Sequence, residues 1–206
     1  VSESEVVFLF AGAIVPDKGV IHLARAFAQI ARQVSSVHLA LAGSSGLWGP
    51  AETAARTASP YENDVRKALA EPFKAGRVHM LGNVSYVDMP GTYAASDALI
   101  LPSIVKEGCP LTVLEALAAG RPVIASGLGG TPELTTPETG TLVPPGDDAA
   151  LVTAMQTLTE HPVARQKASV AARRRSADFS WDAVARRLEA IYDDAPLTSR
   201  AALRRD

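Results

Sequence analysis

"SIVKEGCPLTVLEALAAGRPVIAS", residues 103–126, reads as a loop, a helix and a strand in quick succession. Pro110 suits a first helical turn, where its missing N–H costs nothing. Residues 111–119 are apolar apart from Thr112 and Glu115, Gly120 closes the run, and "PVIAS" (122–126) is a short apolar strand. With "ALILP" (98–102) directly ahead of it, the stretch forms a β-α-β unit, whose two strands must run parallel.

The same alternation extends in both directions. Strands are predicted at 6–11, 37–43, 77–81, 98–102, 122–126 and 140–144. Their near-continuous apolar character implies burial on both faces. Helical patterns fall at 18–33, about 60–74, 88–95, 111–119 and 131–135, and three more lie between 147 and 192, with Asp147 and Ser180 as N-caps. The fold class is α/β: a Rossmann-like parallel sheet with helices on both faces, in one domain spanning 1–206. The stretch 43–60 is long for a loop and reads as functional or partly disordered, with Trp48 its best-anchored residue.

Formal net charge is −2, which gives no reason to expect nucleic acid. The charge is uneven, because residues 162–206 hold ten Lys/Arg against six Asp/Glu. The single Cys109 excludes an internal disulfide and a cysteine-based zinc cluster, and fits a reducing compartment. No apolar run approaches the roughly 20 residues of a membrane span and no signal-peptide pattern opens the chain, so a cytoplasmic location is expected. The start at Val1, a few residues ahead of a strand, suits a piece of a longer protein.

In an open α/β sheet, ligands bind beyond the carboxyl ends of the strands. Four loops lie there: "AGAIVPDKG" (11–19), "GSSG" (43–46), "SIVKEGCP" (103–110) and "SGLGGTPE" (126–133). The N–H groups of Leu111 and Thr112 at the start of the 111–119 helix attract a phosphate, and Lys18, opening the first helix, can meet the same anion. Glu107 and Glu115 would repel a phosphate but suit hydroxyls, and a nucleotide-sugar carries diols on both sides of its diphosphate. On that reading Glu107 takes the sugar and Glu115 the ribose. By themselves the two glutamates also fit a solvated loop charge and an ordinary helix former, Lys18 a solvated cation, and Gly129 and Gly130 simple turn glycines.

"EGCPLTVLEALAAGRPVIAS" (107–126) followed by "GGTPEL" (129–134) resembles the E-x7-E segment and Gly-Gly-x-Pro-Glu turn of retaining GT-B glycosyltransferases, family 4 or glycosyl transferases group 1. "FAGAIVPDKG", "VHMLGNVSYVDMPGTYAASDALILPS", "GTLVPPGD" and "FSWDAVARRLEAIY" are similar, in order, to further landmarks of that family's C-terminal donor-binding domain, so the resemblance covers about 6–192. It implies that Glu107 contacts the donor sugar, with the backbone of Gly108 and Cys109 beside its hydroxyls in the turn that Pro110 completes. It places Leu111, Thr112 and Lys18 on the diphosphate, Glu115 on the ribose, the base against Asn83 and Val84, and Gly12 as the first-loop glycine. Glu133 either joins the site or only stabilises its short helix.

The resemblance also implies a transferase working with a nucleotide-sugar donor, without metal or organic cofactor, and with an acceptor-binding N-terminal domain in cis. The 181–206 helix and tail would pack towards that domain, and the basic tail is either a solvated face, a surface for the absent domain or a contact with an anionic inner membrane surface. One position departs. The family commonly carries Arg after the first-loop glycine, and here Ala13 stands there: either Lys18 and the helix start suffice, or Arg56, Arg66 or Lys106 takes over, or catalysis is weakened. Cys109 reads as a packing residue. A non-catalytic nucleotide-sugar-binding module is the alternative within the fold, as is a GT-B epimerase or phosphorylase. An NAD-dependent oxidoreductase lacks its Gly-x-Gly-x-x-Gly turn here.

Overall fold

A computed structural model describes residues 5–45 and 58–194. Trp48 and Arg56 lie outside the described residues, as does most of the 43–60 loop. Six strands, β1 (Val6–Ala11), β2 (Val37–Ala42), β3 (Val78–Gly82), β4 (Ala98–Leu101), β5 (Val123–Ser126) and β6 (Gly140–Val143), form one sheet in the order β3-β2-β1-β4-β5-β6. Every pairing is parallel. The strand order reverses direction between β1 and β4, so the loops leaving their carboxyl ends diverge around a crevice.

Alternation along the strands divides the core in two. Phe8 and Phe10 of β1, Leu39 and Leu41 of β2, Ile100 and Ile124 face the first helix layer, which comprises α1 (Val20–Gln33), α2 (Pro60–Ala68), α3 (Ala70–Lys74) and α7 (Asp148–Glu160). Leu9, Ala11, Ala40, Leu99 and Leu101 face the second, comprising α4 (Met89–Ala94), α5 (Leu111–Ala118) and α8 (Pro162–Ser176). The short α6 (Thr131–Leu134) also packs on α5. Each large side chain fully withdrawn from water contributes about 1.5–3 kcal/mol. Covering both faces is therefore what holds so apolar a sheet in place.

Two expected helices are divided. The 60–74 pattern breaks at Leu69 into α2 and α3, because Pro72 has no N–H to return to the carbonyl of Ala68. Lys18 does not open α1. It ends a 3-10 turn, Pro16–Lys18, and Gly19 at φ 63° separates that turn from α1. A side chain at Gly19 would lie on the Pro102 carbonyl, so the loops after β1 and β4 touch through backbone there. The expected caps are present, Asp147 accepting from the Ala150 amide and Ser180 from the Ala183 amide.

The last helix, α9 (Trp181–Asp194), buries no residue, and Trp181, Leu188, Ile191 and Tyr192 stand exposed along it. Among the described residues, no helix is long and apolar enough to cross a membrane.

A histidine pair sits near the amino ends of β2 and β3. His38 and His79 stack with ring centroids 5.3 Å apart, Nδ1 of His38 lies 3.1 Å from Nε2 of His79, and Glu5 lies 3.3 Å beyond on the other nitrogen of His38. Burial, then the neighbouring His38, lowers the pKa of His79 below its ordinary value of 6.5. The unfolded chain therefore binds more protons just below that pH, so this contribution to stability is fully present above about pH 6.5 and is lost as pH falls through the folded value. Urea midpoints should fall between pH 7.5 and 5.5, and His79→Gln should flatten that dependence.

Candidate functional site

The loops after β1 and β4 meet across the crevice. Ile104 donates its amide to the Asp17 carbonyl at 2.9 Å, which brings the turn carrying Lys18 against the loop carrying Glu107. Lys18 Nζ donates to Glu107 Oε1 at 2.7 Å, and Ser103 Oγ donates to the same oxygen at 2.6 Å. Ser103 is buried while Lys18 and Glu107 remain partly open to solvent. Glu107 Oε2 takes no hydrogen bond among the described residues. The carboxylate is thus fixed by one oxygen and offers the other.

The Glu107 backbone is held from behind by the loop after β5. The Gly130 amide donates to the Glu107 carbonyl at 2.7 Å. A side chain at Gly130 would strike the Gly108 carbonyl, and one at Gly129, where φ is 59°, the Glu107 carbonyl. These glycines are more than turn formers, because only their lack of Cβ lets the β5 loop lie against the β4 loop. Glu133 contributes its carbonyl to Arg175 and belongs to the frame of α6.

At the start of α5, Pro110 supplies no side-chain cap, and the N–H groups of Leu111 and Thr112 have no preceding turn to bond. They open on the side from which the Glu107 loop enters, so a phosphate placed there would meet free donors and the positive end of the helix. Cys109 is exposed rather than packed; Pro110 takes the buried position in that turn.

Glu115 lies one turn further along α5. Its Oε2 accepts from the Tyr93 hydroxyl at 2.7 Å, and both residues line a groove of about 430 Å³ with Tyr86, Met89 and Pro90. Burial, and then the Glu115 hydrogen bond and charge, push the Tyr93 phenol far above its ordinary value. It stays a donor at any physiological pH.

Beside it, the loops after β2 and β3 are tied together. Gly12 donates to Ala42, Gly43 to Gly82, and the Ser44 hydroxyl to Asn83 Oδ1 at 2.9 Å. Asn83 is exposed at the edge, and Val84 packs against the second core cluster. Buried Glu62 anchors the β2 loop by accepting from the Ser45 amide and hydroxyl. Burial works against its ionisation, but hydrogen bonds from Arg66 and Ser45 outweigh it and hold the carboxyl below its ordinary pKa.

Gly12, Lys18, Asn83, Val84, Glu107, Gly108, Cys109, Pro110, Leu111 and Thr112 therefore lie on loops, a short turn or a helix start at the carboxyl edge of the sheet, and Glu115 lies one turn into α5. Of the substitutes for the missing arginine, Arg66 is spent on Glu62 at 2.7 Å, whereas Lys106 is exposed just ahead of Glu107. Ala13 itself is buried. Ser103, Tyr93 and the packing role of the Gly129–Gly130 pair are additions that residue chemistry alone did not mark. A larger concavity of about 810 Å³, lined by Val7, His79 and Asp97 among others, lies on the half-covered face beside α4 and touches none of the residues expected from sequence.

The chain is similar to known proteins over most of its length. The sequence profile described as "Glycosyl transferases group 1" matches residues 1–175. A GDP-mannose-dependent monoacylated alpha-(1-6)-phosphatidylinositol monomannoside mannosyltransferase of Corynebacterium glutamicum is 30% identical over 190 residues, covering 89% of this chain and 46% of that protein. The MMP alpha-(1->4)-mannosyltransferase of Mycolicibacterium hassiacum is 31% identical over 192 residues, covering 92% and 43%. The chain thus spans less than half the length of these relatives. Among solved structures, a sucrose-phosphate synthase from Thermosynechococcus elongatus superposes with a TM-score of 0.77 at 29% identity, over 94% of this chain and 46% of the other. Anabaena HepE, crystallised with UDP, shares the fold at a TM-score of 0.76 and 23% identity, over 93% and 50%. With a six-stranded Rossmann-like sheet like that of its GT-B glycosyltransferase neighbours and most of its length matched by the family profile, the chain belongs to the glycosyl transferases group 1 family.

Proposed function

We propose that the chain is the donor-binding domain of a retaining glycosyltransferase, which transfers a sugar from a nucleoside diphosphate to an acceptor. The observation that carries this reading is the Lys18–Glu107 pair across the β1/β4 crevice, beside the free N–H groups that open α5. A cation and a helix start flanking a carboxylate suit a ligand with an anionic centre and hydroxyls on either side. The diphosphate lies between Lys18 and the Leu111 and Thr112 amides, the sugar hydroxyls reach Glu107, the ribose hydroxyls reach Glu115, and the base rests at Asn83 and Val84. The mannosyltransferase relative named for GDP-mannose supports a nucleotide-sugar donor.

In this arrangement Lys18 and the amides stabilise charge that grows on the departing diphosphate, with no metal or organic cofactor required of the site. The exposed apolar side chains of α9 face an acceptor-binding domain in the same protein, in the cytoplasm, and the basic charge of 162–206 is either solvated, or meets that domain or the anionic inner surface of the membrane. A binding module without transfer is the second reading. Ala13, standing where the family commonly has arginine, favours it, and activity of a protein carrying both domains decides between the two.

The 206-residue chain should bind at least one of UDP, GDP and ADP in calorimetric titration, yet transfer no sugar from UDP-glucose or GDP-mannose to an added acceptor. Binding of none of the three, or turnover by this chain alone, overturns the proposal.

A further inference from the structure

Each of the two site carboxylates is held by one buried hydroxyl, Glu107 by Ser103 and Glu115 by Tyr93. The Tyr93 contact has the clearer consequence. Its ring is 2% exposed and belongs to the core cluster between the sheet and α5, so α4 and the strands dictate where its oxygen stands. Val84 and Met89, from the segment after β3, pack against that cluster too. Glu115, in contrast, is a long side chain on a partly exposed stretch of α5, with rotamer freedom to turn towards water.

We infer that Tyr93 is a positioning residue that sets the preference of this site for ribose over deoxyribose, by fixing the Glu115 carboxylate through Oε2 and so limiting where the rest of the carboxylate can turn. The inference rests on the reading of Glu115 as the carboxylate that receives the ribose hydroxyls. A carboxylate has about four acceptor positions, so one hydrogen bond from Tyr93 leaves capacity for both hydroxyls of a ribose. The phenol oxygen touches no ligand in this arrangement. It acts only by limiting where the carboxylate points, and because its proton is held far above the ordinary range it never competes as a second anion.

Tyr93→Phe keeps the ring and removes only the oxygen. The test is titration of the chain with UDP, GDP and ADP and with their 2′-deoxy counterparts, comparing wild type, Tyr93→Phe, Glu115→Gln and the double variant. Tyr93→Phe should weaken ribonucleotide binding by about 5-fold, the order expected for one hydrogen bond to a charged group acting indirectly, while deoxynucleotide binding stays within about 2-fold. In the Glu115→Gln background the same change should have no further effect, since the two residues act as one unit.

The outcomes separate the two layers. If the wild type binds ribose and deoxyribose forms equally, the assignment of Glu115 falls and this inference with it. If the wild type discriminates and Tyr93→Phe discriminates as well, only the positioning role is overturned. Equal weakening of both ligand sets, or full additivity in the double variant, likewise overturns it by marking Tyr93 as a packing residue.

Discussion

Replacing Lys18 with alanine, in a protein that carries both domains, is expected to lower turnover by about 10²- to 10³-fold, the range found when a donor aimed at developing charge is removed. Donor affinity should fall much less. The reason is the difference between ground and transition states: the diphosphate is already anionic when bound, but its charge rises as the glycosidic bond breaks, and only the added part appears in the rate. The structure adds a second consequence. Lys18 is the partner of Glu107 at 2.7 Å, so Lys18→Ala leaves that carboxylate held, among the described residues, by Ser103 alone and facing an incoming diphosphate without compensation. Steady-state kinetics with donor varied would show the pattern as a fall in kcat that exceeds the rise in KM. A rise in KM with kcat unchanged would reduce Lys18 to a binding residue.

Glu107→Gln should lower turnover of the same protein by a comparable factor, about 10²-fold or more, because the sugar loses the charged acceptor that fixes its reactive geometry and meets an NH₂ donor in place of one oxygen. Its effect on bare nucleoside diphosphate runs the opposite way. In the free site Glu107 occupies Lys18, and a diphosphate must take that cation from it; with glutamine there, Lys18 is released and one like charge is removed. Binding of UDP or GDP without sugar should be unchanged or tighter. Loss of bare-nucleotide binding in Glu107→Gln would mean that Glu107 holds the nucleotide and that the two roles are exchanged.

The sheet was legible because its strands are short apolar runs separated by turn chemistry, and all six appear within a residue or two of where the pattern puts them. Helix junctions were less so. Pro72 and Gly19 each carry the necessary signal, but a proline early in a helix and a glycine before one are compatible with either a break or a start, and only the packing of neighbouring loops decides. The charged residues proposed for the site were visible as candidates, since Lys18 and Glu107 fall in loops that follow strands and Glu115 falls one turn into α5. Their partners were not. Tyr93 lies 22 positions from Glu115, and Lys18 lies 89 from Glu107, so neither contact leaves a local pattern. Ser103 is only four positions from Glu107, yet the loop between them has no periodicity from which its direction could be read. Cys109 shows the converse, a small apolar side chain that the turn directs outward while Pro110 is buried.

On the proposed function, a nucleoside diphosphate binds at the carboxyl edge of this sheet, between the β1 loop and the start of α5. Amide chemical-shift mapping of the isotopically labelled chain during titration with UDP, GDP or ADP tests it most directly. The largest shifts are expected at Leu111 and Thr112, with accompanying shifts in residues 12–19 and 107–109. Shifts centred instead on Val7, His79 and Asp97 around the larger concavity, with Leu111 and Thr112 unmoved, would contradict it.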